Sequence, residues 1–374
     1  MKLSFWELET YFNNIDCIVV GSGIVGLFAA LHLKTKSPQL KVVVLERGVL
    51  PLGASTKNAG FACFGSCSEI IDDLLIQPEN AVINLIQKRV NGLAKLRSTL
   101  GDKAIDYKAW GGYELFTDEL SFNLCFSKFD YLNKLTASIT KVPDTYSLAN
   151  LQIKKFGFKA IKQLVFNSQE GQIDTGKMMQ ALLLKAQKAG IIVLNGVKCK
   201  QLFTESSKLV LEDGMEICAK KIIVTTNGFA KELLPNLNVN PARAQVLITK
   251  PIPDLKIKGT FHYDKGYYYF RNIGNRILFG GGRNLDFKAE ETVNMDVTRQ
   301  IQNQLERMLR DKIIPNHKFE IEQRWSGIMG MGNEKSPIIK QISPSVFCAV
   351  RLGGMGIAIG SLVGEEVAQL VLES

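Results

Sequence analysis

The chain has 374 residues, 46% hydrophobic and 22% charged, a globular composition that excludes a disordered, collagenous or low-complexity protein. At roughly 150 residues per domain the length allows about two domains. Lys and Arg number 46 against 36 Asp and Glu, a net charge of +10 that is scattered rather than blocked, so it predicts attraction to anions in general and makes nucleic acid an unlikely partner.

Residues 15–20 (IDCIVV) read as a buried parallel strand, because the run is short, apolar and β-branched. Residues 24–36 have helical spacing and end in lysines, which suit a helix C-terminus. Residues 41–46 (KVVVLE) are a second buried strand, and the three pieces make a βαβ unit with a parallel sheet. Residues 82–110 are expected to form an amphipathic helix. Then come a helix over 175–189, a strand at 191–194, a hairpin of 209–212 with 216–218, and a strand at 221–225. Strands are expected at 244–249, 259–271 and 276–282, with turns at Lys265-Gly266 and Gly274-Asn275. A polar helix over 289–311 and a strand over 318–325 follow. The strand 346–350 (VFCAV), a glycine turn and a helix to about 372 end the chain.

The fold class is therefore α/β. A Rossmann-like dinucleotide domain with a parallel sheet is interrupted by a discontinuous α+β domain with a mixed or antiparallel sheet. The expected division gives 1–95, 168–242 and 326–374 to the first and 96–167 and 243–325 to the second.

Seven cysteines without a C-x-x-C pair argue for reduced thiols, not a disulfide framework or structural zinc. Three histidines (His32, His262, His317) are too few and too spread for a histidine metal site, and no metal is expected. The start, MKLSFWELETYFNNID, has early acids and no apolar signal core. The apolar run from Ile15 to Leu33 is broken by Asp16 and the Gly21-Ser22-Gly23 turn, so no transmembrane segment is expected and the cytoplasm is the expected location.

Gly21-Ser22-Gly23-Ile24-Val25-Gly26 fits G-x-G-x-x-G. It follows a strand, opens a helix, and is followed about 20 residues later by Glu46 at the end of the next strand, which is the context the motif needs. Gly21 permits the tight turn, Gly23 lets backbone N–H groups approach a pyrophosphate, and Gly26 lets helix and strand pack closely. The helix N-terminus favours phosphate, and Glu46 suits the hydroxyls of an adenosine ribose. NAD and FAD both meet these terms. The backbone-rich segment 53–61 and the turn Gly353-Gly354-Met355-Gly356 favour FAD, because a second helix N-terminus can face the flavin and stabilise charge on its reduction.

The chain resembles the D-amino acid oxidase (DAO) superfamily of FAD-dependent oxidoreductases, in its glycine oxidase and sarcosine oxidase branch. The marks are GSGIVG with Glu46, GASTKNAGF at 53–61, YYYF and RILFGGGR within 267–283, RWSGIMG at 324–330, SPII at 336–339 and VRLGGMGIAIG at 350–360. The resemblance implies FAD contacts from Ser22, Ile24 and Val25 at the pyrophosphate turn and from Glu46 and Arg47 at the ribose. It implies further contacts from Ala54, Ser55, Ala59, Gly60 and Phe61 along the run to the flavin, from Cys199 at adenine, and from Arg351, Gly353, Gly354, Met355, Gly356 and Ile357 beside the ring. Relatives that bind FAD covalently use a histidine or cysteine where this chain has Asn58 and no cysteine, so non-covalent FAD is expected.

The implied reaction is oxidation of a CH–NH bond of an amine or amino acid, by hydride transfer to flavin N5, with the imine hydrolysing afterwards. Oxygen or a quinone would then take the electrons. The alternatives are a 2-hydroxy-acid dehydrogenase of the same superfamily, with a CH–OH donor, and an RNA-associated flavoprotein. Relatives hold a substrate carboxylate with arginines whose places here are Met329 and Gly354; Arg243, Arg271 and Arg283 are other cations near the aromatic strands, each expected to be structural. Tyr267, Tyr269 and Met329 are the expected pocket residues. Trp325 is expected to close the same pocket or pack the domain junction, and His262 to be a polar strand residue rather than a base.

Overall fold

Ile15–Val20 lies inside an eight-stranded sheet and pairs in parallel on both sides, with Val42–Glu46 and with Glu216–Val224. The computed structural model describes residues 3–374. The main path of the sheet runs Ile338–Ser343, Val346–Val350, Glu216–Val224, Ile15–Val20, Val42–Glu46, Ile192–Asn195. Lys208–Leu211 and Cys199–Phe203 extend it as an antiparallel flap on Glu216–Val224. A parallel sheet needs cover on both faces. Cys17, Val19, Val42 and Val44 face one apolar cluster, while Ile18, Val20, Val43 and Leu45 face another.

Helices Ile24–Lys36, Glu79–Leu100, Thr175–Lys188 and Gly356–Leu372 cover the first face. They approach closely because glycines meet backbone. A Cβ on Gly364 would sit 2.6 Å from the Val25 carbonyl oxygen, and one on Gly92 would sit 2.1 Å from that of Ala358.

The second eight-stranded sheet runs Ile321–Met331, Asn240–Thr249, Arg276–Gly281, Tyr268–Ile273, Thr260–Tyr263, Gly112–Phe116, Gln163–Asn167, Tyr146–Leu148. All its pairings are antiparallel except that of Thr260–Tyr263 with Gly112–Phe116. Its core is aromatic, with Phe261 stacked on Phe270 at 4.6 Å between ring centroids.

Several expected bounds shift. The helix expected over 82–110 runs Glu79–Leu100 and stops at Gly101, whose φ is +85°. The strands expected at 216–218 and 221–225 are one strand, Glu216–Val224, that serves both the flap and the main sheet. The helix expected over 289–311 begins only at Arg299. Before it, the Asn294 amide donates to the Thr292 hydroxyl and the Asp296 amide to the Asn294 side chain, local bonds that compete with helix. Among the described residues no helix is long and apolar enough to cross a membrane.

Gly364→Leu is expected to destabilise the protein by about 1–3 kcal/mol, the cost of overpacking a tight contact. Urea unfolding checks this; an unchanged midpoint contradicts it.

Candidate active site

One cavity of about 540 Å³ collects the glycine turn at 21–26, the loop at 53–61 and the glycine turn at 353–356. The reason is the pairing of their helices: Ile24–Lys36 and Gly356–Leu372 lie against each other, so their N-termini open on the same space.

At the N-terminal turn, Gly21 has φ +108° and packs on Thr225. A Cβ on Gly26 would lie 2.0 Å from the Gly21 carbonyl oxygen, so glycine is required there. The Ile24 amide donates to the Ser55 hydroxyl at 3.0 Å. The next amides, of Val25 and Gly26, have no acceptor among the described residues. Donors at a helix N-terminus in this state suit a phosphate.

Glu46 is buried and lines the cavity. Its Oε2 accepts from the Ser22 amide (3.2 Å) and hydroxyl (2.9 Å), and its Oε1 from the amides of Gly48 (3.0 Å) and Leu52 (3.4 Å). It therefore ties the turn to the loop that follows it. A ribose hydroxyl must share the carboxylate with these donors, of which Leu52 is the most distant.

The cavity wall includes Gly21, Gly23, Ile24, Val25, Glu46, Arg47, Ala54, Ser55, Ala59, Gly60, Phe61 and Cys199, with Gly353, Gly354, Met355, Gly356 and Ile357 from the other end of the chain. Arg47 lies over the Phe229 ring at 3.8 Å. Burial pushes the Cys199 thiol up to about 12, so it stays protonated. Ser22 and Gly26 support the turn from behind without lining the cavity. Arg351 departs from expectation. It holds φ +66°, and its guanidinium turns away to the Ser336 and Asn238 carbonyls (2.9 and 3.2 Å) and to Glu334 (3.2 Å). Asn58 pins its own loop: Oδ1 accepts from the Gly60 amide (2.9 Å) and the Thr175 hydroxyl (2.8 Å), and Nδ2 donates to the Ala54 and Ser55 carbonyls.

Tyr267, Tyr269 and Met329 all line the same cavity. Tyr267 is 37% exposed and packs against Phe287 at the rim. Tyr269 is set deeper, against Phe61, and burial pushes its hydroxyl up to about 12. Trp325 does not line the cavity; its indole N–H donates to the Lys57 carbonyl at 3.0 Å.

The three arginines separate. Arg243 is locked to Glu290 through two bonds of 2.8 and 2.6 Å. Arg271 donates to the Ile173 and Gly60 carbonyls at 2.8 and 3.3 Å, and burial pulls it down to about 10. Arg283 lines the cavity, stacks on Phe287 at 4.8 Å and has no carboxylate partner among the described residues.

Sequence reading named His262 as a polar strand residue but missed its buried partner, Glu170. His262 lies directly across the strand pair from Tyr269, lines the cavity and meets Phe61 edge to face at 5.3 Å. Its Nε2 is 2.9 Å from Glu170 Oε2. The Thr260 hydroxyl (3.0 Å) and the Asn167 amide (3.3 Å) also hold Glu170. Gly112 makes the room, since a Cβ there would lie 2.0 Å from Glu170 Oε2. Cys63, Glu170 and His262 each bring one metal-capable atom within 4.8 Å of the others, although the 2.9 Å separation is that of a hydrogen bond. The available signal was slight: His262 is a polar residue within an aromatic strand, and Glu170, 92 positions away, sits in an ordinary polar turn.

A family model described as "DAO: FAD dependent oxidoreductase" matches residues 16–370. The chain belongs to the DAO family of FAD dependent oxidoreductases.

It is 23% identical over 394 residues to gamma-glutamylputrescine oxidoreductase of Escherichia coli, covering 97% of this chain and 85% of that one. It is 22% identical over 381 residues to "Probable oxidoreductase OrdL" of Rhizobium meliloti, covering 96% and 83%. Among solved structures, L-proline dehydrogenase from P. horikoshii superposes with a TM-score of 0.78 at 18% identity, covering 96% of this chain and 94% of that one. Glycine oxidase from Bacillus cereus superposes with a TM-score of 0.77 at 15% identity, covering 96% and 95%. These likenesses span both sheets. FAD fits the observed turn: amides without acceptors stand where phosphate is favoured, beside a buried acid and glycines that a side chain would block.

All seven cysteines are free, and Cys218 is the exposed one. Ellman's reagent is expected to titrate Cys218 alone in the folded protein and all seven thiols after unfolding; fast reaction of Cys199 contradicts the buried, protonated state assigned to it.

Proposed function

We propose that this DAO-family enzyme oxidises a CH–NH bond of an amine or amino acid with FAD held non-covalently. The observation that carries the reading is the single cavity, which joins two helix N-termini and Glu46 to a wall of Phe61, Tyr269, His262 and Met329. Similar proteins named for proline dehydrogenation and glycine oxidation support the CH–NH class. Gly21, Gly23, Ser55 and the Val25 amide would hold the pyrophosphate, Glu46 and Arg47 the ribose, and the turn at 353–356 the flavin end. In this reading segments 1–95, 168–242 and 326–374 serve the cofactor, and 96–167 and 243–325 the substrate.

Bound FAD supplies the hydride acceptor. The protein's part is to orient the substrate and exclude water. Tyr269, Phe61 and Met329 offer an apolar wall, which favours the neutral amine over its ammonium form. Arg283, which lines the cavity without an acid partner among the described residues, as Lys57 also does, would meet a carboxylate in place of the arginines relatives carry where this chain has Met329 and Gly354. A half-buried guanidinium without an acid partner gains a charge-assisted bond when one arrives. A CH–OH donor is the second reading. The Glu170–His262 pair favours it, because an alcohol must surrender its proton to a base.

The purified protein is expected to be yellow and to release FAD into the supernatant on acid precipitation; colour kept in the pellet defeats the non-covalent reading. Glu46→Ala leaves four donors without their acceptor, and FAD retained per folded molecule is expected to fall at least tenfold, a difference of about 1.4 kcal/mol. Full retention removes Glu46 from the ribose. Anaerobic mixing with panels of amines, amino acids and 2-hydroxy acids decides the donor: bleaching of the flavin by amines or amino acids alone is expected.

A further inference from the structure

We propose that His262 is the base that takes a proton from the substrate's ammonium group, and that Glu170 positions it. The inference rests on the CH–NH reading above and gives that cavity a proton acceptor.

The geometry fixes the tautomer. Glu170 Oε2 already accepts from the Thr260 hydroxyl at 3.0 Å, and Oε1 from the Asn167 amide at 3.3 Å, so the carboxylate acts as acceptor and His262 Nε2 as donor across 2.9 Å. The proton-accepting atom of the neutral ring is then Nδ1. That atom has no protein partner and is not closed off from the cavity that His262 lines. A ring held at one nitrogen by a carboxylate and open at the other is the arrangement a histidine base requires.

The other titratable groups nearby cannot take this role. Burial pushes the Cys63 thiol well above its usual range, and Tyr269, directly across the strand pair, stays protonated to about 12. Glu69 lines the cavity but is held by Arg89 at 3.3 Å and Lys335 at 3.8 Å, which outweigh burial and keep it low. Glu114 faces the Ser66 and Ser68 hydroxyls and the Ser68 amide, and burial raises it. Around His262, burial opposes the charged ring, but Glu170, then Glu114 and Glu69, prevail and hold it up at about 9. That lies near the range of an aliphatic ammonium, so proton transfer between the two is close to balanced.

In the step itself one N–H bond of the ammonium breaks and one Nδ1–H bond forms. The nitrogen keeps the electron pair, the positive charge passes to the ring beside Glu170, and no electron changes hands. Only the neutral amine that results can lose hydride from its carbon.

The sign follows. The base is present above about 9, so the rate of anaerobic flavin bleaching at saturating amine is expected to rise as pH increases through that value. Glu170→Gln removes the largest charge holding the ring up, so the rise is expected at lower pH; a limb due to the substrate's own ammonium would not move. His262→Gln is expected to bleach about 10²–10⁴-fold more slowly, with the limb gone. Histidine NMR titration of the FAD-loaded protein reads the same change without turnover: of the signals of His32, His262 and His317, the one lost in His262→Gln should titrate near 9 in the native protein and lower in Glu170→Gln. Bleaching in His262→Gln at the native rate, or a limb unmoved by Glu170→Gln, overturns the proposal while leaving the CH–NH reading intact. If no amine bleaches the native flavin, the CH–NH reading has failed and this inference with it. If His262→Gln does not fold, the Glu170→Gln limb and NMR shift decide.

Discussion

The helix that follows the glycine turn at 21–26 and the helix Gly356–Leu372 touch backbone to backbone, with nothing larger than hydrogen between them at Gly364. A Cβ there would meet the Val25 carbonyl at 2.6 Å and the Ala29 amide at 2.8 Å. Gly360 makes the same approach to Ile24, whose side chain would lie 2.8 Å from its Cβ. This contact sets the distance between the two helix N-termini. The two turns are more than 300 residues apart in the chain; the strands before them flank Glu216–Val224 in one parallel sheet, and the helix contact then fixes how close the turns come.

The two sheets handle charge differently. The parallel sheet is apolar on both faces and places its buried acid, Glu46, at a strand end where backbone amides can meet it. The second sheet carries charge inside. Arg243 is neutralised by Glu290, Arg271 is spread over two carbonyls, and His262 is balanced by Glu170. A buried ion pair of this kind gains little stability over an apolar pair of the same shape. Its presence beside a cavity is better explained by chemistry than by folding, and the three carboxylates around His262 make that ring more basic than an exposed imidazole.

Much of the first sheet was legible because its signals are local. The run IDCIVV, the helix 24–36 and the strand over 42–46 follow from residue type and spacing alone, and the structure places them within a residue. The region 289–298 was not legible. Its composition is helical in period, but Thr292 and Asn294 turn their side chains onto the backbone, and Arg243 draws the Asp296 carbonyl to itself at 2.8 Å. The helix Glu119–Phe126 has a weak pattern, burying only Phe122 and Cys125, whereas Cys67–Ile76 and Phe129–Thr140 each bury one face, with Cys67, Ile70 and Ile71 in the first and Phe129, Leu132, Leu135 and Thr136 in the second, and went unread.

By itself the sequence marked the glycine turn at 21–26 and the acid that follows it, since both rest on short spacings that a backbone must obey, and its motifs resembled those of the family. It also marked Tyr269 and Met329. Only the tertiary structure decided which cations are free, turning Arg351 outward and leaving Arg283 unpaired in the cavity. It alone set His262 against Glu170, because a hydrogen bond between a strand and a turn far apart in the chain depends on sheet register and on the space left by Gly112, neither of which a linear pattern records.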